Sequence, residues 1–218
     1  MNTSNNLLEK QTDYYDSLHS LAHRLIIYGL LYPFYYLRYR TKIVGQENVP
    51  KEGPYVIACN HFSYSDPTII SMVTRQPVAY IAKQELFEGQ KKWFSGLITF
   101  LGAISINREK PGPSSLKTVK KALKAQWPIG IFIEGTRNQS RTEITRLELG
   151  AAFIAKMGGG LPVLPIGIQG GQKVGDKLEI AIGKTIEFDS KLSLEDQTIV
   201  YGKAVAELAN LEMNVKQI

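Results

Sequence analysis

Short apolar runs alternate with helical segments from residue 55 to residue 210, and this alternation restricts the possible folds most strongly. The runs predict strands at 55–59, 78–82, 103–106, 130–133, 163–168 and 178–182, and helices at 67–74, 91–101, 114–125, 147–156 and 194–210. Alternation of this kind is typical of an α/β fold with a largely parallel or mixed central sheet flanked by helices. Ligands of such sheets bind beyond the carboxyl ends of the strands, so we look there for function.

A histidine and an aspartate lie in the connection between the first predicted strand and the first helix. His61 follows the strand 55–59, and Asp66 precedes Pro67, which favours a helix start. A carboxylate that holds one imidazole nitrogen leaves the other free to accept a proton, so the pair could form a general base. The alternative is structural, with Asp66 as a helix N-cap and His61 as an ordinary residue at a strand end.

Two further strand ends carry cations. Arg108 follows the strand 103–106, and the strand 130–133 is followed by Glu134, Gly135, Thr136 and Arg137. An arginine fork suits phosphate, and a glycine lets backbone N–H groups approach an anion closely, so these residues predict a phosphate site. Lys83, just beyond the strand 78–82, could add a third cation. Either arginine alone could instead be a surface residue or an ion-pair partner of Glu134.

The composition limits the number of domains and the kinds of ligand and partner that the chain can have. The chain has 218 residues and a mass of 24.4 kDa, which suits one domain with a full core. One cysteine and three histidines exclude a disulfide framework and make a zinc cluster improbable, so we expect no metal. A net charge of +6 indicates an anionic partner. We do not expect nucleic acid, because the lysines of the helix 114–125 fit a solvated helix face.

The N-terminal region divides into two parts ahead of the main domain at 41–218. Residues 1–17 form a polar tail whose acidic residues do not fit a secretory signal, which favours a protein facing the cytoplasm. Residues 18–40 contain an uncharged, tyrosine-rich run at 25–37, flanked by Arg24 and by later cations. This run is too short to span a bilayer, so it predicts a helical membrane-interface anchor and a peripheral or monotopic protein. A buried core helix is the alternative.

Four blocks of the chain together resemble the glycerolipid acyltransferase family. They are Asn60-His61-x4-Asp66, Gly102-x-Ile104-x-Ile106-x-Arg108, Phe132-x-Glu134-Gly135-Thr136-Arg137 and Val163-Leu164-Pro165-Ile166. The resemblance covers about residues 45–170. It is specific because the four blocks occur in the family's order and approximate spacing.

The resemblance implies a reaction and roles for the blocks. His61 would be the general base and Asp66 its partner, Arg108 and Glu134 to Arg137 would bind the acceptor phosphate, and the block containing Pro165 would serve the acyl side. The implied reaction transfers a fatty acyl group from acyl-ACP or acyl-CoA to the free hydroxyl of lysophosphatidate, a membrane lipid. It implies neither a cofactor nor a covalent acyl-enzyme.

The chain departs from the family pattern in two places. Ile133 replaces the usual proline before the glutamate, and the segment 147–150 lacks the lysines common before its glycine. Members of the family also acylate glycerol 3-phosphate or lysophospholipids with larger headgroups, so the acceptor stays open. Two other classes are less favoured. A hydrolase lacks a Gly-x-Ser-x-Gly elbow, and a non-catalytic membrane-binding module leaves His61 and Asp66 unexplained.

Overall fold

A computed structural model describes residues 21, 24–74, 76–88, 92–107, 111–171, 173 and 175–218. Strands β1 to β9 span Arg40–Val44, Val56–Cys59, Ala79–Lys83, Ala103–Ile106, Ile129–Phe132, Glu143–Arg146, Val163–Gly170, Lys177–Ile182 and Glu212–Gln217. Helices α1 to α6 span Tyr32–Arg38, Asp66–Thr74, Lys92–Phe100, Pro113–Lys124, Gly150–Met157 and Leu194–Ala209, and a π-helical segment, Leu25–Leu31, precedes α1.

Seven strands form one mixed sheet in the order β1-β8-β7-β2-β5-β3-β4. Strands β7, β2, β5, β3 and β4 are mutually parallel, whereas β8 runs antiparallel to β7 and pairs in parallel with β1. The five parallel strands therefore end at the same edge, which we call the site edge, and β1 begins there. The predicted α/β fold with a mostly parallel sheet flanked by helices is confirmed.

The crossover connections divide the helices between the two faces of the sheet. The chain moves from β2 through α2 to β3 and through α3 to β4, then reverses through α4 to β5. Because parallel crossovers are right-handed, α2 and α3 share one face and α4 lies on the other. The apolar cores agree, since α2 packs in one cluster while α4, α5 and α6 pack in the second.

The most apolar segments occupy the centre of the molecule. Every residue of β2, Val56–Cys59, is buried, as expected for a strand with neighbours on both sides and helices on both faces. Helix α2 is buried almost all round, because the sheet covers one side and the N-terminal helical pair covers another. The Tyr28 hydroxyl of that pair donates to the Ser71 carbonyl of α2 at 3.1 Å. The turn that leads from β2 to α2 therefore has a rigid element at each end.

Three short strands were not predicted from the sequence. β1, β6 and β9 contain charged residues, and β1 and β9 alternate between exposed and partly buried positions. β1 lies at the edge of the large sheet, and β6 pairs only with β9 in a two-stranded sheet. Edge strands need no continuous apolar run, which explains why the apolar pattern did not reveal them.

The region predicted as a membrane-interface anchor is helical where it is described. It contains the π-helical segment and α1, and Pro33 is the second residue of α1. Arg40, the last residue of the predicted segment, begins β1. The predicted polar tail 1–17 lies outside the described residues. In the described part of the chain, no helix is both long enough and apolar enough to cross a bilayer.

We predict that Gly130→Ala destabilises the fold by about 1–3 kcal/mol, because the added methyl overpacks the sheet. A Cβ at Gly130 would lie 2.5 Å from a ring carbon of Tyr80, its partner in the adjacent strand. Urea denaturation in a fixed detergent measures the loss. Gly96→Ala in α3 is the matched control, since no atom lies within 4 Å of its added carbon. Equal stabilities of the two variants would contradict the packing argument.

Candidate active site

One oxygen of Asp66 organises the turn between β2 and α2. Asp66 Oδ2 accepts hydrogen bonds from His61 Nδ1 at 2.8 Å and from the backbone N–H groups of Phe62 and Ser63, each at 2.7 Å. The Asp66 side chain is 2% exposed and that of His61 is 16% exposed. A buried carboxylate is costly unless donors compensate its lost hydration, and the turn supplies three of them. Asp66 therefore holds both the turn and the imidazole.

The helix begins one residue earlier than predicted. Asp66 is the first residue of α2, and the Ile69 N–H donates to the Ser65 carbonyl at 3.0 Å, so Ser65 takes the N-cap position and Pro67 the second helical position. Asp66 Oδ2 accepts from the turn residues His61, Phe62 and Ser63, which precede the helix. The interpretation of Asp66 as the N-cap was therefore wrong, because its carboxylate serves the turn and the imidazole.

Aromatic stacking fixes the plane of the imidazole. The His61 ring stacks on Phe132 at a centroid distance of 3.9 Å, and Phe132 lies nearly parallel to Tyr80 at 6.2 Å. The Tyr80 hydroxyl donates to the Pro67 carbonyl at 2.6 Å, which connects β3 to the first turn of α2. The Asp66 bond and this stack together leave His61 Nε2 as the ring nitrogen available to a substrate.

The loop after β5 holds the backbone of His61. Cys59 and Phe132 are register partners at the ends of β2 and β5, so the two following loops run side by side. The His61 N–H donates to Glu134 Oε1 at 3.2 Å, and the Asn138 N–H donates to the His61 carbonyl at 2.6 Å. The histidine is thus fixed through its peptide as well as through its ring.

Asn60 connects the same turn to β7 on the other side. Its side-chain nitrogen donates to the Ile168 carbonyl at 2.9 Å, and its oxygen accepts from the Ile168 N–H at 2.8 Å. Pro165, from the fourth block, lies buried in β7 as the register partner of Ala58, and its carbonyl accepts from the Gly183 N–H at 2.9 Å. The structure thus places Pro165 within the sheet, beside the strand that carries the turn.

Glu134 is a buried carboxyl group with a raised pKa. The side chain is 4% exposed, and burial raises the pKa of its carboxyl group to about 7, an effect that the negative charge of Asp66 increases. Hydrogen bonds from His61 and Asn138 act in the opposite direction and lower this pKa. The structure directs Glu134 toward the His61 peptide, whereas Gly135 and Thr136, which follow it, line a cleft.

This cleft of about 340 Å³ lies at the site edge, between the ends of β3, β4 and β5. It brings together three of the predicted phosphate-binding residues, Lys83, Gly135 and Thr136. Gly135 has a positive φ of 68°, a conformation that a side chain disfavours. The other lining residues are Glu85, Ile106, Asn107, Arg146 and Glu148.

Arg146 adds a cation that the sequence reasoning missed. It is the last residue of β6, and its guanidinium contacts Glu148 Oε1 at 2.6 Å. The segment 147–150 lacks the lysines of the family pattern, and Arg146 directly precedes it. A search for any cation adjacent to that segment would have found this residue.

Arg137, a predicted phosphate-binding residue, and Arg141, which was not predicted, both lie over aromatic rings. The Arg137 guanidinium lies 3.9 Å from the ring centroid of Tyr64, and Arg141 lies 5.0 Å from that of Phe62. Both rings belong to the turn that carries His61, so these two cations lie against that turn. Arg108 lies outside the described residues, and its role stays a prediction.

Other candidate nucleophiles near His61 have structural surroundings. Cys59 is fully buried, and burial raises the pKa of its thiol, which disfavours a thiolate. The Ser63 hydroxyl accepts from the Ser65 N–H at 3.2 Å, within the turn itself. Neither arrangement directs a nucleophile at an external substrate through His61.

Comparisons with known proteins identify the family of the chain. A model of the Acyltransferase family matches residues 40–169. A 1-acyl-sn-glycerol-3-phosphate acyltransferase from Bacillus subtilis (strain 168) is 33% identical over 186 residues, which cover 80% of this chain and 90% of that protein. A protein with the same name from Helicobacter pylori (strain J99) is 34% identical over 106 residues, which cover 48% of this chain and 44% of that one.

A solved structure supports the fold. The 1-acyl-sn-glycerophosphate (LPA) acyltransferase from Thermotoga maritima matches with a TM-score of 0.64 at 21% identity, over 92% of this chain and 77% of that chain. Because the family match spans more than half of the sequence, the chain belongs to the Acyltransferase family and is an acyltransferase. The predicted resemblance is confirmed, and all four sequence blocks lie within the matched region.

We predict that Glu134→Gln becomes more stable relative to the parent protein as pH rises from 5 to 8. The unfolded carboxyl ionises at the ordinary pKa of 4.5 and the native one only at about 7, so the parent protein loses stability as pH rises from 4.5 to 7. The expected gain in the free energy of unfolding of Glu134→Gln over the parent is on the order of 3 kcal/mol above pH 7, and it disappears below the ordinary pKa. Glutamine retains an oxygen that can accept from the His61 N–H.

Urea denaturation of both proteins at pH 5 and pH 8 measures this change. Glu187→Gln, at an exposed position, provides the baseline for removing a surface carboxylate. A Glu134→Gln effect that is no more pH-dependent than that of Glu187→Gln would contradict the buried-carboxyl account.

Proposed function

We propose that this chain transfers a fatty acyl group from an acyl-ACP or acyl-CoA thioester to the free hydroxyl of lysophosphatidate, which yields phosphatidate. The observation that carries the proposal is the 2.8 Å contact between His61 Nδ1 and Asp66 Oδ2 at the edge where the cleft lined by Lys83 and Arg146 opens. The names of the relatives support the same acceptor. Glycerol 3-phosphate and other lysophospholipids are the alternative acceptors.

The geometry suggests how the reaction proceeds. Asp66 holds the proton on His61 Nδ1, so Nε2 accepts the proton of the acceptor hydroxyl as its oxygen attacks the thioester carbonyl. The tetrahedral intermediate then collapses, the C–S bond breaks, and the imidazolium returns its proton to the leaving thiolate. Acyl transfer is direct in this scheme, without an acyl-enzyme and without a cofactor or metal among the reactants.

A positioned base contributes about 10²–10⁴-fold, so much of the acceleration must come from the alignment of two substrates. We assign that task to the cleft. Lys83 and Arg146 would hold the acceptor phosphate, with Gly135 and Thr136 supplying backbone and hydroxyl donors. Arg137 and Arg108 belong to the same proposal. We assign Glu134 to the His61 peptide, because its carboxylate would repel a phosphate.

We also propose that the protein acts at the cytoplasmic face of a membrane as a peripheral or monotopic enzyme. The N-terminal helical pair exposes large apolar side chains, among them Leu25 and Leu30 at 65% each and Leu37 at 84%. Such exposure costs free energy in water and suits the bilayer interface. The acceptor is itself a membrane lipid, so contact with the bilayer would bring the site to its substrate.

We predict that His61→Ala lowers kcat by about 10²–10⁴-fold, because the general base is lost. Asp66→Asn should lose activity as well, since an amide is a poor substitute for a carboxylate with three donors. Formation of phosphatidate by the purified protein in detergent, resolved by mass, measures both effects. Lipid binding and the melting temperature are the controls. Full turnover by either variant with normal binding would refute the general-base role.

We predict that Arg146→Ala raises the KM for lysophosphatidate about tenfold, because a charge-assisted hydrogen bond to phosphate is worth roughly 1.5–3 kcal/mol. The KM for the thioester should stay unchanged. Lys42→Ala is the matched control, because Lys42 contacts Glu179 at 2.9 Å in a similar ion pair on an edge strand of the sheet. Equal increases in both KM values would place Arg146 outside the acceptor site.

A further inference from the structure

Helix α3 presents an apolar face to solvent. Trp93 is 66% exposed and Leu97 is 45% exposed, and the two residues are one helical turn apart, so they form one patch. The Phe94 ring packs edge-on against the Trp93 indole at a centroid distance of 5.9 Å. A tryptophan is rarely left so exposed without a binding role.

The patch lies on the same side of the molecule as the N-terminal helical pair. Right-handed crossovers place α2 and α3 on one face of the sheet, and the N-terminal pair covers α2 on that face. The chain enters α3 from the end of β3 and leaves it into the start of β4, so Trp93 is near the site edge. Helix α1 ends near the same edge, where β1 begins, and Leu37 is there. Two exposed apolar surfaces thus flank α2 and its preceding turn.

We propose that Trp93 and Leu97 form a second contact with the bilayer interface, separate from the N-terminal segment. The choice of a lipid partner rests on the proposed function, because the acceptor is a membrane lipid. Two contacts on either side of the His61 turn would direct the site edge toward the bilayer, whereas one contact would leave the enzyme free to rotate about it. An indole at the end of an apolar helix face is also the arrangement that membrane interfaces favour.

The charges near the patch are mixed, so apolar insertion into the bilayer is favoured over a purely electrostatic contact with lipid headgroups. The chain carries a net charge of +6, and two lysines, 91 and 92, immediately precede Trp93 in the sequence. Two exposed carboxylates, Glu85 and Glu88, precede these lysines in the sequence. We therefore expect the contact to depend mainly on apolar insertion and to persist at high salt.

A lipid surface fits this patch better than a second copy of the chain. Stable protein interfaces bury about 800 Å² per partner, and two side chains supply far less. A bilayer needs no complementary shape, so a small apolar patch contributes there in proportion to its buried area.

Intrinsic fluorescence tests insertion directly, because the chain has two tryptophans in opposite environments. Trp127 is 4% exposed in the core, while Trp93 is 66% exposed. Vesicles of phosphatidylcholine and phosphatidylglycerol should shift the Trp93 emission to the blue, and acyl-brominated phosphatidylcholine should quench it. Trp93→Phe should remove both signals and keep binding. Emission that stays unquenched in the parent protein would overturn the proposal.

Vesicle assays of the full-length protein test the functional consequence. Trp93→Ser combined with Leu97→Ser should lower activity on vesicle-borne lysophosphatidate about tenfold, in line with the lost apolar burial. Activity on a short-chain acceptor that is monomeric in solution should stay unchanged. The matched control combines Leu192→Ser with Val200→Ser, which removes similarly exposed apolar groups at 40% and 39% near α6 on the opposite face.

The outcomes separate this inference from the function on which it rests. If the parent protein acylates neither form of the acceptor, the proposed function fails. If it acylates both and the α3 variant matches the control on vesicles, only the second contact is wrong. A change in oligomeric state of the α3 variant, measured by analytical ultracentrifugation, would assign the patch to a second copy of the chain and also overturn the proposal.

Discussion

The site depends on a single carboxylate oxygen. Asp66 Oδ2 receives three hydrogen bonds, two from the backbone of the turn and one from the imidazole of His61. The backbone bonds shape the loop, and the loop shape brings the imidazole within reach of the same oxygen. The proposed catalytic geometry and the local fold therefore share one interaction, and the buried charge is tolerated because donors replace its water. Asparagine at this position would disturb both functions at once.

The parallel pairing of β2 with β5 and β7 brings residues from three strands to the turn that carries His61. β2 lies between β5 and β7, so the loops after all three strands meet at one edge. From β5 come Phe132 under the imidazole and Glu134 at the His61 peptide, and from β7 comes the Ile168 peptide that holds Asn60. Two buried carboxyl groups, Asp66 and Glu134, contact His61, and burial raises the pKa of Glu134 to about 7.

Much of the fold and the contact of His61 with Asp66 could be predicted from the sequence, because the patterns that indicate strands, turns and helices lie within short segments of the chain. The buried run of β2 and the residues His61 and Asp66 belong to that class. The edge strand β1 was hidden by its mixed exposure. Arg146 directly precedes the segment 147–150 and could have been found there, but its place in the cleft depends on the pairing of β6 with β9, which joins distant parts of the chain. The orientation of Glu134 toward a peptide instead of a phosphate depends on register, which residue type cannot reveal.

The central claim is that Asp66 keeps the proton on His61 Nδ1 and leaves Nε2 as the base. Nitrogen-15 NMR of the histidine-labelled protein in detergent measures this tautomer most directly, with the His61 resonances assigned by their loss in a His61 variant. We predict that neutral His61 carries its proton on Nδ1, and that Asp66→Asn disturbs this preference. A neutral imidazole protonated on Nε2 in the parent protein would contradict the account.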